Sequence, residues 1–87
     1  MESKKIFVVI GGQWFDKVNG NTYHNAKIIE TDGEKNIYYS GYEYGYGSQY
    51  MTSAKRFVEE ELKISNYELV NAGFFPVNKR NLKDNLF

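Results

Sequence analysis

Phe15 to Tyr39 reads FDKVNGNTYHNAKIIETDGEKNIYY, and two dipeptides within it decide the fold. Asn19-Gly20 and Asp32-Gly33 are hairpin signals, because a two-residue type I′ turn needs positive φ at both central positions, which Asn, Asp and Gly tolerate best. The first turn joins KKIFVVIGGQWFDKV to NTYHNAKIIET, and the second joins that strand to IYYSGYEY. The result is an antiparallel meander of three strands. Ile6 to Ile10 is apolar at every position, as in a central strand, and Gly11-Gly12 predicts a bulge or bend in it. Alternation along the third strand puts Ile37, Tyr39 and Gly41 on one face and Tyr38, Ser40, Tyr42 and Tyr44 on the other.

From Ser48 onward the period changes. Tyr50, Met51, Ala54, Phe57, Val58 and Leu62 form the apolar stripe of an amphipathic helix ending near Lys63, with Ser48 as its N-cap and Thr52 or Ser53 as the weaker alternatives one turn later. Its other face carries Lys55, Arg56, Glu59, Glu60 and Lys63, a solvated surface with a favourable Glu59-Lys63 pairing. YELVNAGFFPV then reads as a fourth strand, irregular at Gly73 and confined to an edge by Pro76. Asn81 can cap a short final turn that docks Leu82, Leu86 and Phe87. The predicted fold is α+β, a β-β-β-α-β chain with one helix on an antiparallel sheet, and residues 1–87 form a single domain because so short a chain cannot build two cores.

Charge narrows the partners. Eleven basic residues balance eleven acidic ones, and residues 1–47 and 48–87 each come within one charge of neutrality. A protein that tracks a long phosphate backbone shows a basic excess, so a nucleic-acid-binding module is the secondary expectation. It requires Lys27, Lys55, Arg56, Lys79 and Arg80 to share a face. MESKKIFVVIGG resembles a leader only superficially, since its apolar run of five residues falls short of the about 7–15 that a signal core needs. With no cysteine, the composition fits a reducing cytoplasm.

YEYGYGSQY, residues 42–50, runs from a strand end into the helix. Backbone N–H groups of a glycine-rich turn and a helix N-terminus attract anions, and Tyr42, Tyr44, Tyr46 and Tyr50 offer faces for a base. The stretch lacks both the GK[ST] ending and the GxGxxG spacing, so glycines that bend a strand against a helix are the competing reading. His24 is the sole histidine. A nucleophile-and-base device would need it beside a nucleophile and an orienting acid; a strand histidine bonded to a neighbour is the simpler expectation. Glu59, Glu60 and Glu61 are consecutive and diverge on a helix, which disfavours a glycosidase pair. Lys79, Arg80 and Lys83 make a small basic patch or an ordinary polar end. No metal-ligand spacing, cofactor motif or catalytic motif appears, so the chain is expected to be no enzyme.

WFDKVNGNTYHNAKI followed by YEYGYGSQYMTSA resembles a family of small proteins encoded by bacteriophages and prophages, in which a DKxNGNTYH hairpin precedes a YGYG segment and an alanine-containing helix. Asp16, Lys17 and Asn19 to His24 match the first motif; Tyr44 to Gly47, Tyr50, Thr52 and Ala54 match the second. The likeness covers residues 14–54 and implies a context rather than a chemistry: a cytoplasmic protein of the infected host cell, acting stoichiometrically as a counter-defence or host-takeover inhibitor. A host defence protein or another host protein is the expected partner, a nucleotide signal the next, a homo-oligomer possible through sheet edges, and a membrane none. Neutral charge argues against simple DNA mimicry. The residues expected to meet the partner are Tyr23, His24, Tyr42, Tyr44, Gly45, Tyr46, Gly47 and Ser48.

Overall fold

The computed structural model describes residues 4–87; the first three residues, the head of the leader-like stretch, lie outside the described residues. The fold is mixed α+β. Strands β1 (Lys5–Asp16) and β2 (Asn21–Glu30) form a long antiparallel hairpin in unbroken register from Phe7 opposite Glu30 to Asp16 opposite Asn21. Its turn forms at Asn19-Gly20 but as a four-residue loop, residues 17–20, in which Asn19 lacks the positive φ that a two-residue type I′ turn needs, as Asp32 does in the second turn. Gly20 sits at φ +69, and the Asp16 carboxylate gathers the Val18 and Asn19 amides at 3.0 and 3.3 Å and the Asn19 side chain at 2.8 Å.

The expected third strand is two pieces, β3 (Ile37–Tyr39) and β4 (Glu43–Tyr44), both antiparallel to β2. Tyr39 faces Lys27 and Glu43 faces His24, so four steps along this segment match three along β2. The extra residue is a bulge at Ser40–Gly41, where Gly41 has φ +106. β2 holds it in place: Ser40 N donates to Ala26 O, Ala26 N to Ser40 Oγ, and Gly41 N to Asn25 Oδ1. This corrects the expected alternation. A one-residue slip exchanges the faces of a strand, so Tyr42 and Tyr44 lie on the side of Tyr39, and Glu43 moves to the side of Tyr38.

Helix α1 (Gln49–Arg56) continues into a π-helical turn, Phe57–Glu61, closed by Leu62 N to Phe57 O, and Lys63 at φ +56 ends the run. The chain then crosses to β5 (Tyr67–Pro76), which pairs with β1 in parallel. The sheet is therefore five-stranded and mixed, in the order β3-β2-β1-β5 with β4 also on β2, rather than a four-stranded antiparallel one. The reason is local: β3 and β4 occupy the outer edge of β2, leaving β1 as the open neighbour. A strand returning through a helix also runs in its original direction. β5 is an edge strand ending at Pro76, and its register slips between Val9 and Gly11, placing the irregularity at Gly73 as the sequence suggests.

Gly11 and Gly12 carry no bulge in the β1–β2 ladder, contrary to expectation. They are small because both faces of the sheet are covered there. A Cβ on Gly11 would stand 2.7 Å from Tyr50 Cγ of α1, and one on Gly12 would stand 2.9 Å from Leu82 Cδ1. Leu82 belongs to a second helix, α2 (Lys79–Lys83), capped by Asn78 rather than Asn81: the Asn78 side chain accepts from Asn81 N at 2.8 Å. Leu82 is fully buried and Phe87 packs on Tyr39 and Phe75, while Leu86 stays exposed. The main core lies on the α1 face, where Phe7, Val9, Ala26 and Ile28 meet Tyr50, Ala54 and Val58. Buried Asn25 ties the second layer down by donating to Leu82 O and Asn85 Oδ1.

Candidate functional site

The sheet divides the residues singled out in the sequence. Even-numbered β2 side chains face α1 and odd-numbered ones face α2, so His24 and Tyr23 part company although adjacent. On the α2 side, Trp14 of β1, Tyr23 of β2 and Tyr42 of the bulged segment form a ladder, with centroids 5.9 and 5.0 Å apart and the two tyrosines within 9° of parallel. Tyr44 meets Tyr23 edge-on at 5.7 Å. Lys79 and Lys83 of α2 lie 5.2 Å from the Trp14 and Tyr42 centroids. Cations over ring faces are favourable, and here they seat α2 on the sheet. Burial pushes the Tyr42 phenol up, with Tyr23 and Asp16 adding to it. Rings that stack on one another and carry lysines over their faces are already occupied, so Tyr23 and Tyr42 are no open plates for a base.

The exposed aromatic surface lies one step along the chain. Tyr44 is 61% and Tyr46 66% exposed, at the start of the turn that leads into α1. The turn backbone is pinned in three places: Gly45 N donates to Thr22 O at 2.9 Å, Gln13 Nε2 to Gly47 O at 2.8 Å, and His24 Nδ1 lies 3.2 Å from Gly45 O. Thr22 to His24 thus lie beside the Tyr-Gly turn. The amides of Gly45, Gln49 and Met51 bond to the carbonyls of Thr22, Tyr46 and Ser48, which removes much of the anion cradle the glycines suggested. Ser48 precedes α1 without a side-chain cap.

On the α1 face His24 is 1% exposed and joins a cluster of three residues, none of them among those expected to meet the protein partner. Its Nε2 lies 2.7 Å from Ser53 Oγ, Ser53 Oγ donates to Glu43 Oε2 at 2.6 Å, and Arg56 pairs with the same carboxylate. Burial raises the Glu43 pKa, but the Ser53 hydrogen bond and the Arg56 charge outweigh it and hold the carboxyl below its ordinary value. The bulge is what turns Glu43 inward. A signal for this cluster existed: Gln49, Thr52, Ser53 and Arg56 form a polar stripe at helical spacing beside the apolar one. His24 and Ser53 stand as a base and a hydroxyl would in acyl transfer, but Nδ1 meets a carbonyl instead of an orienting acid, and Ser53 is 4% exposed with its hydroxyl committed to Glu43. Two clefts of about 350 and 360 Å³ open beside the cluster and share Glu43, Ser53 and Arg56.

No protein-family model, curated protein or solved structure matches this chain.

The other expected features fall as follows. Lys79 and Lys83 lie on the α2 face, whereas Arg56 is bound to Glu43 on the α1 face, so the single basic face that nucleic-acid binding required is absent. Glu59 accepts from the Tyr67 hydroxyl instead of pairing with Lys63. Among the described residues no helix is long and apolar enough to cross a membrane, and no three His, Cys, Asp or Glu side chains group as metal ligands.

Proposed function

We propose that this chain is a non-catalytic binding protein that presents Tyr44 and Tyr46 to the surface of a partner protein. The observation carrying this reading is the pairing of two exposed tyrosines with a backbone pinned at Gly45 and Gly47. Rigidly presented aromatic side chains bind well because little conformational freedom is left to lose on contact. A host-cell protein is favoured over a nucleotide, since the ring faces of Tyr23 and Tyr42 and several turn amides are already engaged. The phage resemblance supplies the biological setting: a cytoplasmic counter-defence or host-takeover inhibitor working one-to-one. The test is affinity capture from a host lysate with the parent chain and with Tyr44→Ala/Tyr46→Ala, both checked for folding by circular dichroism. A host protein held by the parent and lost by the variant supports the reading. Equal capture by both removes the turn from it, and a small nucleotide carried through purification replaces the protein partner.

A further inference from the structure

The sheet has two edges of unequal build. One is the broken run of β3 and β4, interrupted by the bulge at Gly41; the other is β5, ten residues long, with β1 as its one strand partner among the described residues. Edge strands are ordinarily guarded against further pairing by charge, short length, bulges or proline. β5 keeps such devices for its second half: the register slips around Gly73, Gly73 N is taken by Asn71 Oδ1 at 2.8 Å, and Pro76 has no N–H. The first half carries one charge, Glu68, which Lys4 pairs at 3.0 Å, and no residue from Leu69 to Asn78 is charged.

The ladder with β1 fixes which backbone groups of that half point outward. Lys5 N donates to Asn66 O at 3.1 Å, and Lys5 sits opposite Tyr67. Successive residues of an extended strand turn their N–H and C=O to alternate sides, so Glu68 and Val70 bond to β1 while Tyr67, Leu69 and Asn71 present both groups to the open edge. A second copy running antiparallel satisfies this row best about a two-fold axis at Leu69. Tyr67 then meets the second copy's Asn71, Leu69 meets Leu69, and each pair exchanges two hydrogen bonds. Moving the axis toward Gly73 brings in the closed Gly73 N, and moving it the other way runs off the strand before Tyr67. Charge agrees with this register. Glu68 lands opposite the second copy's Val70 rather than opposite itself, and the chain as a whole is neutral, so like charges are not brought face to face.

We propose that β5 is a homodimerisation edge, through which two copies pair antiparallel by way of Tyr67, Leu69 and Asn71 and form one continuous sheet. The edge lies across β1 and β2 from β4 and Tyr44, so this inference is independent of the binding reading. Sedimentation equilibrium of the full chain, from micromolar to millimolar concentration, is expected to show a monomer–dimer equilibrium. The Tyr67, Leu69 and Asn71 amides are expected to exchange more slowly as the dimer forms. Val70 is exposed, and Val70→Glu sets a carboxylate opposite Glu68 of the second copy, twice by symmetry, which raises the dissociation constant about tenfold. Adding Glu68→Lys turns both repulsions into attractions and restores the dimer, as the register about Leu69 requires. Should Val70→Glu not fold, the concentration dependence of the three amides in the parent chain decides. A chain that stays monomeric at millimolar concentration, or a dimer whose dissociation constant ignores Val70→Glu, overturns the proposal. So does protection of the three amides only when another protein is captured, which makes that protein's strand the occupant of the edge.

Discussion

At the scale of single residues, two adjacent glycines and one carboxylate show how little freedom the hairpin has. Gly11 and Gly12 point to opposite faces of β1, and each is overlain by a side chain of a different helix. Gly11→Ala forces Tyr50 away from the sheet, and overpacking of this kind costs about 1–3 kcal/mol, to be read from the shift in urea midpoint at constant slope. Gly12→Ala meets Leu82 and falls in the same range. Asp16 works through a different force. The Asn19 side chain foremost, helped by the Asn19 and Val18 amides and the Lys79 charge, holds its carboxyl below its ordinary value against the opposing effect of desolvation. A depressed folded-state pKa means that the contribution is present above the unfolded value and disappears as pH falls through the folded one. Amide exchange at Val18 and Asn19, corrected for intrinsic rate, is therefore expected to accelerate below the usual carboxylate range. In Asp16→Asn that acid dependence is gone.

At the scale of elements, the bulge and the π-helical turn place side chains that a regular strand or helix would misdirect. Deleting Gly41 takes out the extra residue and leaves three steps matching three along β2, so Glu43 stays opposite His24, whereas Glu43→Ala leaves His24 and Ser53 without their carboxylate. The expected loss is about 1–3 kcal/mol, the cost of leaving buried polar partners unsatisfied, and denaturant unfolding measures it. At the far end of α1, the Tyr67 hydroxyl donates to Glu59 and ties the π-helical turn to the start of β5. Burial first, then the Glu59 hydrogen bond and charge, push this phenol up to about 12. A raised phenol pKa favours the neutral folded form, so this contribution is whole below pH 10 and fades between 10 and about 12. In an ultraviolet titration Tyr67 is expected to ionise among the last of the eight tyrosines, and Glu59→Gln moves it down.

The same elements mark what the sequence made legible. Asn19-Gly20, the helical stripe from Tyr50 and the irregularity at Gly73 announced themselves because each is set by neighbours a few residues away. The parallel docking of β5 depends on which sheet edge remains open after β3 and β4 have paired, which no local pattern encodes. One inserted residue at Ser40–Gly41 was likewise invisible, and it reassigned the faces of Tyr42, Glu43 and Tyr44. The candidate site was therefore half-read: Tyr23, Tyr42 and Tyr44 do come together, but His24 joined Ser53, Glu43 and Arg56 across the sheet.

At the scale of the whole molecule, the sheet separates two packed layers of unequal size. Ile28 is fully buried in the layer under α1, and Leu82 is fully buried in the layer under α2. Leu82→Ala is expected to cost about 2–5 kcal/mol and Ile28→Val about 0.5–1.5 kcal/mol. A chain this short is stable by only on the order of 5–10 kcal/mol, so the first change alone consumes a large part of the margin. Whether the two costs add depends on what the sheet transmits. Side chains on opposite faces share no contact, and independent sites add to within about 0.5 kcal/mol. Gly11 and Gly12 offer a route for coupling, since a backbone shift that lets Tyr50 settle on one side would move the surface under Leu82 on the other. The expected result for the double variant is nonetheless additivity, because β1 is held by β2 on one side and β5 on the other through long registers. Urea unfolding of both single variants and the double variant closes the cycle. A coupling energy near 1 kcal/mol would show instead that the sheet bends as a unit and that the two layers form one core.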